Sequence, residues 1–239
     1  MSKYIYNESY FKEIQNEKQA YWLGFLYADG CITRFYRNEK LKSMSLELTL
    51  QSDDIQHLQY FKDDLETNVP IKHKIISNKY NADKIVLNCT SMCRDLINLG
   101  CTPTKSLTLE FPTEKIVPKN LLRHFIRGYF DGDGGVSYTE GDYFNSQRGK
   151  QYLQHHYRCY FCGNKKFLDK LREVLINEGI VVSELKEDKR SNAVNIYIYG
   201  NENIEKFKKY LYEGSQRNLL RKYNKFLFIK DNKELHINR

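Results

Sequence analysis

The residues of this chain best placed to do chemistry are two aspartates, Asp29 and Asp133, which sit in matching surroundings. Each precedes a glycine, Gly30 or Gly134. Each also follows two small residues spaced by four, Gly24 and Ala28 in one case and Gly128 and Gly132 in the other. The phrases are YWLGFLYADG and FIRGYFDGDG, and their glycines and aspartates keep one offset, 104 residues. Small residues at i and i+4 share a helix face and let a second backbone come close. Gly24, Ala28, Gly128 and Gly132 are therefore the expected contact between two helices. Gly30 and Gly134 suit the left-handed residue that ends a helix, which puts each aspartate at a helix C-terminus. There the macrodipole is already negative. Two carboxylates brought to two negative helix ends call for a cation between them, and a divalent metal suits oxygen donors best.

The elements that must position this pair follow from the period. A repeat this long means two copies of a domain, here residues 1–100 and 119–239. Residues 101–118, with Pro103, Pro112 and Pro118, form a stiff linker between them. In the first copy, Asn16 and Gln19 predict a capping box for the motif helix, which Trp22, Leu23, Phe25 and Leu26 plug into its domain. A strand is expected at 31–36. Over 44–51, Met44, Leu46, Leu48 and Leu50 alternate with Ser45, Glu47, Thr49 and Gln51, a half-buried strand. Residues 53–66 read as a helix with Ile55, Leu58, Phe61 and Leu65 inward. Strands at 71–77 and 84–89 and a short helix to 99 complete the copy.

The second copy repeats the order, with Ile126, Tyr129 and Phe130 as its helix plug. A strand starts at 136–138, and 139–154 reads as a polar, basic excursion. Strands are expected at 157–162, 181–186 and 194–199, and helices at 165–178 and 202–212. A basic, aromatic tail follows. The fold class is α+β: a pseudo-twofold pair of αββαββα domains, each an antiparallel four-stranded sheet with helices on one face. The open faces would present Arg34, Arg37, Ser45, Glu47, Thr49, Gln51, Lys72, Lys74, Arg158, Tyr160, Asn195 and Tyr197. Such hydrogen-bonding and cationic side chains can read base edges in a major groove, which admits strands as well as helices. Arg221 and Lys225 in the tail would add phosphate contacts.

Charge points the same way. Lys+Arg number 38 against 30 Asp+Glu, a net charge of +8 that favours a polyanion. From Pro118 onward there are 23 basic and 15 acidic residues, against 15 of each before it.

The two phrases resemble the LAGLIDADG motifs of the homing endonuclease family, in its single-chain form with two motifs. Aligned on that nine-letter name they run from Trp22 to Gly30 and from Ile126 to Gly134, with glycine third, aspartate eighth and glycine ninth in both. Departures fall at Trp22-Leu23 and Ile126-Arg127, and the sixth position is Tyr27 in one copy but Asp131 in the other. The resemblance implies two saddle-shaped sheets straddling double-stranded DNA and a monomer with a pseudo-twofold axis. It implies hydrolysis of one phosphodiester per strand with short 3′ overhangs, and Mg²⁺ as cofactor, with Mn²⁺ able to substitute. Asp29 and Asp133 would hold the metal, and a basic residue near each, Lys105 and Lys222, would help neutralise the transition state. Other proteins of this fold are RNA-binding maturases or non-cleaving DNA-binding regulators, so intron RNA stands as a second partner. Both carboxylates being present argues against a regulator.

Other readings are weaker. His155, His156, Cys159 and Cys162 lack zinc spacing, since 159 and 162 face opposite ways in a strand; ordinary strand packing is expected there. Six cysteines show no secreted disulfide framework, and no apolar run spans a bilayer, so an intracellular setting is expected, in a bacterial or phage-infected cytoplasm or an organelle matrix. The chain neither opens on Cys or Ser nor ends on His-Asn, so an intein setting is not expected.

Overall fold

Strict apolar alternation builds the first sheet. In β2 (Lys40–Gln51), Met44, Leu46, Leu48 and Leu50 are buried, while Ser45, Glu47 and Gln51 are half-buried and Thr49 is exposed. The computed structural model describes residues 4–77, 80–105, 108–145, 150–187 and 193–227, with side chains described outside 76–80 and 140–154. The first copy runs α1 (Glu17–Asp29), β1 (Gly30–Arg37), β2, α2 (Ile55–Asp64), β3 (Lys72–Ser77), β4 (Tyr80–Leu87) and α3 (Thr90–Asn98). The second runs α4 (Leu122–Asp133), β5 (Gly134–Asn145), β6 (Lys150–Gly163), α5 (Lys165–Asn177), β7 (Lys186–Glu187), β8 (Val194–Tyr199) and α6 (Asn201–Tyr212). Residues 220–227 are helical again.

Both sheets are antiparallel and share one order, β1-β2-β4-β3 and β5-β6-β8-β7. This is the expected α+β pair. The helices cover one face of each sheet, and α1 and α4 pack together at the centre of one continuous core. Among the described residues no helix is long and apolar enough to cross a membrane.

Four local expectations are corrected. Residues 139–154 are not an excursion: β5 and β6 continue through them as a paired hairpin, except for 146–149, which lie outside the described residues. Of the strand expected at 181–186, only Lys186–Glu187 pairs as one, while Ser183 bonds Tyr197 from an irregular segment. Ile55 is 48% exposed at the start of α2, and His57 takes the inward position instead. Ser52–Asp54 form a 3₁₀ turn, so Ile55 is the first residue of the α-helix, while Leu58, Phe61 and Leu65 are buried as expected. Lastly, Gly30 (φ −71°) and Gly134 (φ −87°) are extended, not left-handed. Each instead starts a strand while its N–H closes the last helical turn, on Leu26 or Phe130. Lack of a side chain is what matters there: a Cβ at Gly30 would lie 2.6 Å from the Leu26 carbonyl oxygen, and one at Gly134 2.7 Å from that of Phe130.

Candidate active site and DNA-facing surface

The small faces of α1 and α4 meet. A Cβ at Gly24 would stand 2.0 Å from the carbonyl oxygen of Phe125, and one at Gly128 1.9 Å from that of Tyr21. These contacts are equivalent under the 104-residue offset, so each helix presses its backbone into the groove left by the other's glycine. Further along, a Cβ at Gly132 would meet the Cβ of Ala28 at 2.2 Å and Asp29 Oδ2 at 3.3 Å. The Asp29 carboxylate therefore lies against the end of α4, close to Asp133.

Both residues are exposed to solvent, yet protein atoms of the two helix ends crowd closely around their carboxylates. The partial loss of water raises the pKa of each. Asp133 is pushed up to about 6, by burial first and then by the charge of Asp29, against the pull of Lys222 and Lys105. Asp29 is raised by burial against Lys222, Lys105 and Arg221. Two crowded acids with raised pKa values mark a candidate functional site.

The two expected lysines are both here and act on the helix ends. Lys105 Nζ donates to the Gly30 carbonyl, and Lys222 Nζ to the carbonyls of Phe130 (2.8 Å), Gly132 (2.8 Å) and Gly134 (2.5 Å). Each thus places a positive charge at the negative pole of a motif helix. Lys222 is only 5% exposed, and burial lowers its pKa to about 8 although Asp131 and Asp29 oppose the shift.

A network absent from the sequence reading supports the second centre. Arg127 and Asp131, at motif positions two and six, are both fully buried. Arg127 donates to Glu17 Oε1 (2.7 Å) and to the carbonyls of Arg217 (2.8 Å) and Leu211 (2.9 Å). It also bonds His124 Nδ1 (2.8 Å). Since arginine only donates, that histidine is neutral, in keeping with burial lowering its pKa to about 4. Asp131 accepts from Tyr21 (2.8 Å), Tyr212 (2.6 Å) and the Leu219 amide (2.7 Å). Tyr21 spends its proton on Asp131, so at 3.0 Å it accepts from His57 Nε2. The signal available in the sequence was the pair Arg127 and Asp131 at i, i+4, flanked by Phe125, Ile126, Tyr129 and Phe130 on the buried part of the motif helix. Polar residues there need partners, and those partners come from Glu17, Tyr21 and the tail.

Ladder register sorts the DNA-facing candidates. Directly paired residues share a face, so Thr33 with Ser45, Cys31 with Glu47, and Thr49 with Lys84 lie on the open side of the first sheet. Gln51, Lys72 and Lys74 join them through the same ladders. Arg34 does not: it pairs with buried Met44 and so belongs to the helix side, while Arg37 is exposed at the hairpin end. On the second sheet Arg158, Tyr160, Asn195 and Tyr197 all share the open face, with Ser137 and Lys186. Arg158 and Lys186 both lie 5.5 Å from the Tyr197 ring centre. Alternation with its buried neighbours Asp83 and Ile85 could have found Lys84 too, whereas Lys186, between half-buried Leu185 and exposed Glu187, gave no such signal. Arg221 pairs with buried Asp54 (3.0 Å), and Lys225 reaches the Val136 carbonyl at 3.5 Å. Both are thus anchored within the protein. Cys159 is buried on the core face, and Cys162 lies opposite Asn195 on the other.

Residues 120–212 match the LAGLIDADG-like domain family. The replication factor C small subunit of Methanocaldococcus jannaschii is 32% identical over 139 residues, 55% of this chain but 6% of that protein, so the chain spans a small part of its length. Among solved structures, the LAGLIDADG meganuclease I-AabMI bound to uncleaved DNA superposes with a TM-score of 0.60 at 12% identity, covering 94% of this chain and 92% of its own. The LAGLIDADG homing endonuclease I-SmaMI bound to cleaved DNA gives 0.65 at 11% identity, covering 95% and 91%.

Proposed function

From a chain whose residues 120–212 match the LAGLIDADG-like domain family and of which 94–95% superposes on LAGLIDADG nucleases, we propose a site-specific endonuclease that cuts both strands of duplex DNA. The observation that carries this reading is the crowding of Asp29 and Asp133 at the abutting ends of α1 and α4, with Lys105 and Lys222 at the same two ends. Residues 1–100 and 119–239 serve as the two half-site binders, joined by 101–118.

Hard oxygen donors with raised pKa values fit a divalent ion such as Mg²⁺, or Mn²⁺ in its place, and Asp29 and Asp133 are the residues to hold it. Such an ion, when bound, supplies an activated water and steadies the leaving 3′ oxygen. The chain does the rest. Its two carboxylates fix where that chemistry happens, at the junction of each motif helix with the edge strand of its sheet. Lys105 and Lys222 offset the helix poles, so that the added negative charge of a phosphate is tolerated. The open faces hold the duplex through Ser45, Glu47, Thr49, Gln51, Lys72, Lys74, Arg158, Tyr160, Asn195 and Tyr197. One cut per strand then leaves short 3′ overhangs. A non-cleaving regulator has no use for two crowded carboxylates, and an RNA-binding role has no separate observation behind it.

The test is selection of cleaved duplexes from a randomised DNA library with Mg²⁺ present. Enrichment of a single sequence family, lost in Asp29→Asn and Asp133→Asn, is the expected result. If no duplex is cut under any divalent ion, the chain is not a nuclease.

A further inference from the structure

The first hairpins of the two copies differ in length. β1 and β2 pair over eight positions, from Gly30 with Leu48 to Arg37 with Lys40. They close in a two-residue turn, Asn38 and Glu39, both left-handed (φ 50° and 63°). β5 and β6 pair over twelve, from Gly134 with Phe161 to Asn145 with Lys150. Under the 104-residue offset, Arg37 corresponds to position 141, where Gly141 pairs with Gln154. Four further pairs lie beyond it, from Asp142 with Leu153 outward. At about 3.3 Å per residue they extend the second sheet by about 13 Å.

The extension continues the face already assigned to DNA. The backbone ladder of 142–145 with 150–153 runs on from the one that holds Ser137, Arg158 and Tyr160. Charge supplies a second, independent asymmetry, because the chain's whole net charge of +8 resides from Pro118 onward. A polyanion is the partner that both features fit. Duplex DNA rises about 3.4 Å per base pair, and a strand following a groove runs oblique to the axis, so about 13 Å spans roughly two to four base pairs.

Resting on the DNA-cutting reading, we infer that the two half-sites are unequal. The second copy covers about two to four base pairs more duplex than the first, and the cut lies off-centre in the recognised sequence. The long hairpin is a specificity-determining element with no counterpart in the first copy.

The experiment is hydroxyl-radical footprinting of the full chain, in EDTA, on a duplex from the randomised selection, with the cut positions mapped separately in Mg²⁺. Protection should extend about two to four base pairs further from the cut on one side. Replacing residues 142–153 by Asn-Gly closes the second hairpin where the first closes, and should trim protection on that side alone. Substituting the outer base pairs should weaken binding of the unmodified chain about fivefold or more, and of the shortened chain less than about twofold. Equal protection on both sides of the cut overturns the inference even if the shortened chain does not fold. Longer protection that survives the shortening overturns it as well. If the chain binds no duplex at all, the DNA-cutting reading falls and takes this inference with it.

Discussion

The two copies solve one problem with different chemistry. Each must hold a lysine at the C-terminal pole of its motif helix. In the first copy the sixth motif position is Tyr27, whose hydroxyl ties to the Leu99 carbonyl at the end of α3, and Lys105 reaches a single carbonyl. In the second it is Asp131, which gathers two tyrosine hydroxyls and the Leu219 amide. That amide lies three residues before Lys222, whose ammonium is buried on three carbonyls. The second motif position differs too: Leu23 is an ordinary core residue, whereas Arg127 ties α4 to Glu17 at the start of α1 and to the tail. The same backbone geometry is thus reached by apolar packing with two hydrogen bonds to carbonyls on one side, and by a buried charged network on the other. Equal positions under the repeat need not have equal energetics.

The largest effect should ignore this difference. Asp29→Asn and Asp133→Asn should each lower double-strand cleavage by at least about a hundredfold, because each removes a carboxylate from the cation site proposed for this pair. Gel assays on a selected duplex check this, and a variant that still cuts both strands at the unmodified rate breaks the site assignment.

Glycine replacements should be equally symmetric. Gly24→Ala and Gly128→Ala each put a Cβ about 2 Å from a backbone oxygen, which cannot swing aside. A loss of about 3 kcal/mol or more is expected for both, read from denaturant melts. A loss in only one would mean that the two contacts are not equivalent.

The lysines should separate the copies. Lys222→Met strands three carbonyls in a buried position and should cost about 2–4 kcal/mol, against about 1 kcal/mol or less for Lys105→Met. Asp131→Asn keeps the shape but loses charge and mismatches one donor, for about 1–3 kcal/mol, whereas Tyr27→Phe loses one hydrogen bond, about 1 kcal/mol. Equal costs across either pair would erase the contrast drawn above.

The smallest effect is pH dependence without metal. Asp133 has a folded pKa near 6, above the unfolded value of about 3.9. A raised carboxyl stabilises the fold below its unfolded pKa, and that contribution is lost as pH rises through about 6. Melting temperature in EDTA should fall across this window, and Asp29→Asn should shrink the fall by removing the neighbouring charge. A variant with the same slope would mean that the carboxylates do not sense each other.

Much of this was legible in the chain. The 104-residue offset, the small faces and the Asp-Gly ends placed the centre, and alternation at Met44, Leu46, Leu48 and Leu50 placed the first sheet. Asn16 caps α1 as expected, accepting from the Gln19 amide at 3.0 Å, although the Gln19 side chain reaches the Gln15 amide instead of its own cap. Periodicity failed where polar strands carry little apolar signal, so 139–154 looked like a loop although backbone pairing makes it a ladder. It misplaced Ile55 because this first residue of α2, directly after a 3₁₀ turn, lies outside the core that Leu58, Phe61 and Leu65 enter as expected.

What the sequence determined by itself was therefore what repeats at short range: which residues face inward, where helices end, and which two carboxylates are equivalent. Tertiary structure alone decided the partners of Arg127, Asp131 and Lys222. Glu17 and Tyr21 come from the opposite copy, and Leu219 from more than eighty residues away. The physical reason is that a buried polar group is specified by whatever donors and acceptors converge on it in space, and spacing along one helix carries no record of them.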